Sequence, residues 1–188
     1  MTFPLSQGSD SELAVLALAG RQDAYRELLA RYREKIFRFV AASVGDSQEA
    51  VDLTQETFVA AFASLRRYDH DRPFLFWLKR IALNKCRDWL RRRKARAFFV
   101  RAEPLELAFE VADDAISADV QAENRAELKR VSAAISRLPS RLREALVLRT
   151  IDGLSQSEAA AVLGVSEKAV ETRLHRARAR LKANLESK

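Results

Sequence analysis

The sequence predicts an all-α protein: two small helical domains joined by a flexible acidic linker, the C-terminal one containing a helix-turn-helix. Three observations carry this reading. Among 188 residues there are only five glycines and four prolines, while Ala, Leu, Arg and Glu, all strong helix formers, abound. Charge is blocked along the chain: residues 87–101 hold seven basic side chains against Asp88, and residues 103–127 hold eight acidic ones against Arg125. The acidic block has no clean helical period until its end, as expected of a linker. On this basis residues 1–100 form one domain, 101–126 the linker and 127–188 the second domain. Finally, Leu154 to Leu185 reads as two short helices separated by a tight turn.

In the first domain a short helix is expected around Ser11 to Ala19, stopped by Gly20. A longer one runs from about Asp23 to Ser43, with Tyr25, Leu28, Leu29, Tyr32, Ile36, Phe37 and Val40 at the spacing of a buried stripe. Gly45-Asp46 ends it and caps the next, about Ser47 to Leu65, which should bury Val51, Thr54, Phe58, Phe62 and Leu65. The other face of that helix groups Asp52, Gln55 and Glu56, three and four residues apart. In a basic protein an acidic, amide-bearing patch repels phosphate, so it suits either solvent or a basic protein partner.

Residues 66–72, RRYDHDR, form a polar loop. Pro73 then suits the first turn of a helix, where its missing amide is harmless. That helix, Phe74 to about Arg96, has an apolar side of Phe74, Trp77, Leu78, Ile81, Ala82, Cys86, Trp89 and Leu90. Arg80, Asn84, Arg87 and Arg91 make a polar stripe long enough to follow a nucleic-acid backbone, where each cation adds salt-dependent affinity. The aromatics Tyr68, Phe74, Phe76 and Trp77 are suited either to stacking on unpaired bases or to the core. Cys86, on the apolar side with no activating neighbour, is expected to be core.

In the second domain Leu128, Val131, Ile135 and Leu138 define a helix ending at Pro139. Leu142, Ala145, Leu146 and Leu148 define another, closed by Asp152-Gly153. Ser155 with Glu158 is a capping box, Gly164 ends that helix, and Ser166 caps the last one. Val170, Leu174, Ala177 and Leu181 share one face of the last helix, leaving Lys168, Thr172, His175 and Arg176 pointing away. A helix with an apolar back and a basic, hydrogen-bonding front, delivered by a Gly-containing turn, fits a recognition helix in the major groove.

Composition narrows the function classes. The net charge of +7 suits a polyanionic partner. No signal peptide is visible at the N-terminus, and no apolar run approaches the roughly 18 residues of a membrane span. A single cysteine excludes an internal disulfide. No paired-carboxylate motif, P-loop or metal-ligand cluster is apparent, so no enzyme activity, catalytic residue, cofactor or metal is expected, and no small-molecule substrate.

Three blocks, in order and over nearly the whole chain, resemble bacterial RNA polymerase sigma factors of the extracytoplasmic-function (ECF) group. Asp52 to Phe58, DLTQETF, is similar to the D-x-x-Q-E-x-F segment of region 2. Phe74 to Asn84, FLFWLKRIALN, is similar to F-x-x-W-L-x-R-I-A-x-N. Leu138-Pro139-x-Arg141 through Arg149, then Gly153-Leu154-Ser155 and the last helix, resemble region 4. The resemblance implies a cytoplasmic protein that binds core RNA polymerase through its largest-subunit clamp and its flap, directs it to promoter DNA and helps open the duplex. It implies clamp docking by Asp52, Gln55 and Glu56. It implies −10 contacts from Tyr68, His70, Phe74, Trp77, Arg80, Asn84, Arg87 and Arg91, with a flipped base held near the RRYDHDR loop. It implies −35 contacts from Lys168, Glu171, Thr172, Arg173, His175, Arg176 and Arg178. Regulation by a separate anti-sigma factor is also implied. Glu171 departs from the family, where a basic residue is frequent; an acid there can accept from a cytosine amino group but repels phosphate. The alternative reading is a free-standing helix-turn-helix transcriptional regulator.

Overall fold

The structure, a computed structural model, describes residues 5–99, 127, 128 and 130–186; the expected linker lies outside them. The first half holds four helices, α1 (Asp10–Leu18), α2 (Gln22–Val44), α3 (Ser47–Ala63) and α4 (Phe74–Phe99). The second half follows with α5 (residues 130–136), α6 (Ser140–Leu146), α7 (Gln156–Leu163) and α8 (Glu167–Glu186). Among the described residues there is no strand.

Local chemistry sets most boundaries. Ser9 and Glu12 form a capping box at the start of α1, and Ser155 and Glu158 form another at α7, each satisfying two otherwise orphaned amides. Asp46 caps α3, and Ser166 accepts from the Ala169 amide at the start of α8. Gly45 (φ 76°) and Gly164 (φ 66°) end α2 and α7 in the left-handed conformation that disfavours side chains. Beyond α6 the helix widens to a π turn over Val147–Ile151.

The helix positions agree with the sequence periods to within a few residues. α3 stops at Ala63 and a separate 3-10 turn carries Leu65, whose buried side chain still joins the core. Three expected core positions are corrected. Val51 and Leu29 are 38% and 36% exposed, and Leu128 is 47% exposed. Each sits at the edge of its stripe, where the 3.6-residue period carries the side chain round toward solvent.

α2 packs against α1, α3 and α4, and α8 packs against α6 and α7. The halves also pack on each other: α4 meets α7, and α2 meets the π turn. One continuous buried cluster therefore runs from Leu13, Leu28, Phe39 and Leu78 into Val147, Leu148, Val162 and Val170. A smaller cluster of Leu138, Leu146 and Ala177, flanked by Ile135, Leu142, Leu174 and Leu181, fastens α8 to α5 and α6.

Candidate nucleic-acid and partner interfaces

On α3, Leu53, Thr54, Thr57 and Phe58 turn inward, leaving Val51, Asp52, Gln55, Glu56 and Val59 exposed. The sequence-predicted triad of Asp52, Gln55 and Glu56 thus shares one outer face, with two valines beside it. Glu56 is held from behind by Lys85 of α4, Nζ to Oε2 at 3.1 Å. Glu49, two turns earlier, accepts from Trp89 Nε1 at 2.7 Å, so α3 and α4 are locked in register.

The loop before α4 divides into an inner and an outer set. Phe74 is fully buried and Tyr68 is 5% exposed, which corrects their expected use as stacking surfaces. Their rings pack on each other edge to face at 5.1 Å, and both meet Trp77 at 5.4 Å. Burying these aromatics gains more than leaving them wet, roughly 1.5–3 kcal/mol for a Phe-sized side chain. His70 is exposed and rests on the Tyr68 ring at 5.0 Å; Trp77 is half-buried. Of the predicted aromatic set, the half-buried Phe76 and Trp77 keep some surface, and with the exposed His70 they are what a base can meet.

Along α4, Arg80, Asn84 and Arg91 are exposed as expected, but Arg87 is not free. Its guanidinium makes a two-pronged bond to Glu144 of α6, at 2.8 and 2.7 Å. That carboxylate raises the affinity of Arg87 for its proton. Two turns away in the same interface, Lys79 Nζ lies 2.8 Å from Asp152 Oδ2, both nearly buried. Burial pushes the Asp152 carboxyl up, and Lys79 opposes that. Arg80 Nη2 lies 4.0 Å from where a Cβ on Gly164 would stand, so the stripe runs under the helix-turn-helix. Cys86 sits in the same seam, lined by Ser43, Leu83 and Leu90 on one side and Ser140, Arg143 and Glu144 on the other. Burial pushes its thiol up to about 12.

α8 presents a different picture. Val170 and Ala177 are buried, while Lys168, Glu171, Thr172, His175, Arg176 and Arg178 are exposed and Arg173 is half-exposed. Lys168 pairs with Glu171 at 3.0 Å, and the Thr172 hydroxyl donates to the Lys168 carbonyl at 2.8 Å. The acid at 171 is thereby partly neutralised on its own helix. Gln156 of α7 donates to the Glu167 carbonyl at 3.1 Å, which fixes the angle at which α8 emerges.

The chain matches the Sigma-70 region 2 family over residues 28–96 and the Sigma-70, region 4 family over residues 128–181. It is 45% identical over 185 residues to the RNA polymerase sigma factor CnrH of Cupriavidus metallidurans, covering 96% of each chain. It is 34% identical to the ECF RNA polymerase sigma factor SigM of Mycobacterium tuberculosis, over 92% of this chain and 83% of that one. The chain belongs to the ECF RNA polymerase sigma factors. Its fold is similar to that of CnrH solved with the cytosolic domain of CnrY, with a TM-score of 0.69, 40% identity, and 96% and 99% of the two chains covered.

Three residues of this sigma factor's interfaces escape a reading from sequence alone: Lys79, Glu144 and Asp152. Lys79 did leave a signal. It falls on the stripe Leu75, Lys79, Ala82, Cys86, and a cation on an apolar stripe needs a buried partner. Nothing local says that the partner is Asp152, more than seventy residues on. Among the described residues no group of three or more His, Cys, Asp or Glu is placed to hold a metal, and no helix is long and apolar enough to cross a membrane.

Proposed function

We propose that this sigma factor acts in the cytoplasm by binding alone, without catalysis, as the promoter-specificity subunit of core RNA polymerase. The exposed Asp52, Gln55 and Glu56 dock on the polymerase clamp, where an acidic face meets a basic partner. His70, Trp77, Arg80, Asn84, Arg87 and Arg91 face the −10 element, and Lys168, Glu171, Thr172, Arg173, His175, Arg176 and Arg178 face the −35 element. Duplex opening needs no reacting group: a surface that binds unpaired strand better than duplex shifts the equilibrium toward the open form.

The observation that supports this most is the two-sidedness of α8. Its apolar back is buried against α5 and α6, and its hydrogen-bonding and basic front is in solvent apart from the half-exposed Arg173. A helix held this way by a preceding α7 can enter a major groove without rearrangement. By contrast, Arg87 is engaged by Glu144, so this residue, unlike the exposed Arg80, Asn84 and Arg91, reaches DNA only after the two halves part. A protein that stabilises the closed arrangement would keep the sigma factor silent. CnrH is solved with the cytosolic domain of CnrY, and an anti-sigma factor of that kind is the partner proposed here.

Transcription with purified core polymerase on a fragmented genomic library, followed by mapping of 5′ ends, tests the proposal. Dependent starts sharing two upstream motifs are expected. No dependent starts, together with tight duplex binding by the protein alone, would favour a free-standing regulator.

A further inference from the structure

The segment ahead of α2 has no part in the interfaces above, yet it is fastened to one of them. Leu13, Ala14 and Ala17 of α1 are buried, so α1 is part of the core. Arg31 of α2 gathers the residues before it, donating to the Leu5 carbonyl at 3.0 Å, the Ser6 carbonyl at 2.9 Å and Asp10 Oδ1 at 3.1 Å. Its Nε holds Glu27 at 2.9 Å. The other oxygen of Asp10 accepts from the Tyr32 hydroxyl, whose proton is held by burial and by that carboxylate. The Tyr32 ring leans on Phe74 at 5.6 Å, the inner wall of the loop before α4. From the next position, the Ser11 hydroxyl donates to the His70 carbonyl at 3.1 Å. Within the loop, the Tyr68 hydroxyl donates to the Arg72 carbonyl at 2.7 Å.

These contacts close a ring: Asp10 to Tyr32, Tyr32 to Phe74, Phe74 to Tyr68, Tyr68 to His70, and His70 back to Ser11. The capping box of Ser9 and Glu12 holds Asp10 and Ser11 in the first turn of α1, where both can reach their targets. The exposed residues 69–73 are thus tied to the body of the protein at two backbone carbonyls, that of Arg72 by the buried Tyr68 and that of His70 by a side chain from 59 positions earlier.

We infer that Asp10 and Ser11 are positioning residues for single-strand capture: they set the backbone of the 66–73 loop, and hence the pose of His70 beside the half-buried Trp77 toward an unpaired base. This rests on the assignment of that loop to the −10 strand above. A stacking surface binds a base only if it is held in one orientation before the base arrives, since ordering it on binding would consume part of the interaction. Asp10 acts on the buried side of the loop and Ser11 on its exposed side.

The test uses full-length protein assembled with core polymerase. Three affinities are measured: for a single-stranded oligonucleotide carrying the mapped −10 sequence, for a duplex carrying only the −35 sequence, and for core polymerase. Ser11→Ala and Asp10→Asn are expected to weaken single-strand binding roughly fivefold, the scale of one lost hydrogen bond, leaving the other two affinities unchanged. Ser11→Thr, which keeps the hydroxyl, should restore the single-strand affinity. Unchanged single-strand binding, or equal losses in all three, would overturn the inference, the latter showing that α1 merely stabilises the fold. If the unsubstituted holoenzyme binds no single strand, the loop assignment itself fails and takes the inference with it.

Discussion

α4 and α8 are both strongly basic helices with an apolar back, yet the fold treats them in opposite ways. α8 turns its front to open solvent, and the acid among the predicted contacts there, Glu171, is answered by Lys168 on the same helix. On α4 two cations are taken up by the other half, Arg87 by Glu144 and Lys79 by Asp152, while Arg80, Asn84 and Arg91 stay exposed. Basic helices of like composition therefore differ in where their cations are answered: Lys168 of α8 by an acid of its own helix, Arg87 and Lys79 of α4 by carboxylates of the other half.

The comparison breaks most readily at Lys79. Removing one partner of a buried ion pair costs about 3–5 kcal/mol when the other stays buried, so Lys79→Ala should drive the halves apart. Cys86, the single cysteine of the chain, reports this directly: alkylation at pH 8 should accelerate by at least about tenfold, the equivalent of 1.4 kcal/mol. Replacing both partners, with Lys79→Met and Asp152→Leu, should return the rate to that of the parent, because an apolar pair fills the same seam without a stranded charge. An unchanged rate in the single variant would mean that the pair does not hold the halves together.

A smaller effect is expected at Glu144→Gln. Charge-assisted hydrogen bonds are worth about 1.5–3 kcal/mol, and the Arg87 side chain is 37% exposed, so solvent screening places the loss at the lower end. Freed Arg87 should raise the affinity of the protein for −10 DNA several-fold in a fluorescence-anisotropy titration and steepen its salt dependence by about one counterion. Arg176→Ala sharpens the contrast from the other helix. It should weaken −35 binding by about 1–3 kcal/mol if it reads a base and leave the Cys86 alkylation rate untouched. Unchanged footprinting at the −35 element would remove Arg176 from that interface.

The smallest effect tests only how α7 is seated beneath α8. Hydrogen bonds from the Ser155 amide and hydroxyl hold the Glu158 carboxyl below its ordinary value of 4.5. A carboxylate favoured in the folded state adds stability that is complete above the unfolded value and fades as pH falls through the lowered one. Ser155→Ala should lower Tm by about 2–4 °C at pH 7, with the difference shrinking in melts run progressively below pH 4.5.

Read from one end to the other, the chain by itself determined its helices, its caps and its chemical faces. The capping boxes at Ser9 and Ser155, the turns at Gly45 and Gly164, the acidic patch on α3 and the two-sided α8 all depend on residues within one or two helical turns of each other. Such interactions are settled by neighbours in sequence and can be read there. The fates of Phe74, Tyr68 and Arg87 could not. The same period that places Phe74 at the head of a stacking surface also places it in a core, and only the packing of Tyr32, Tyr68 and Trp77 around it decides for the core. The pairings of Lys79 with Asp152, Arg87 with Glu144 and Ser11 with His70 join residues 57 or more positions apart. Desolvation makes those pairings matter: a charge is costly only where water has been removed, and which surfaces lose water is decided when the two halves meet.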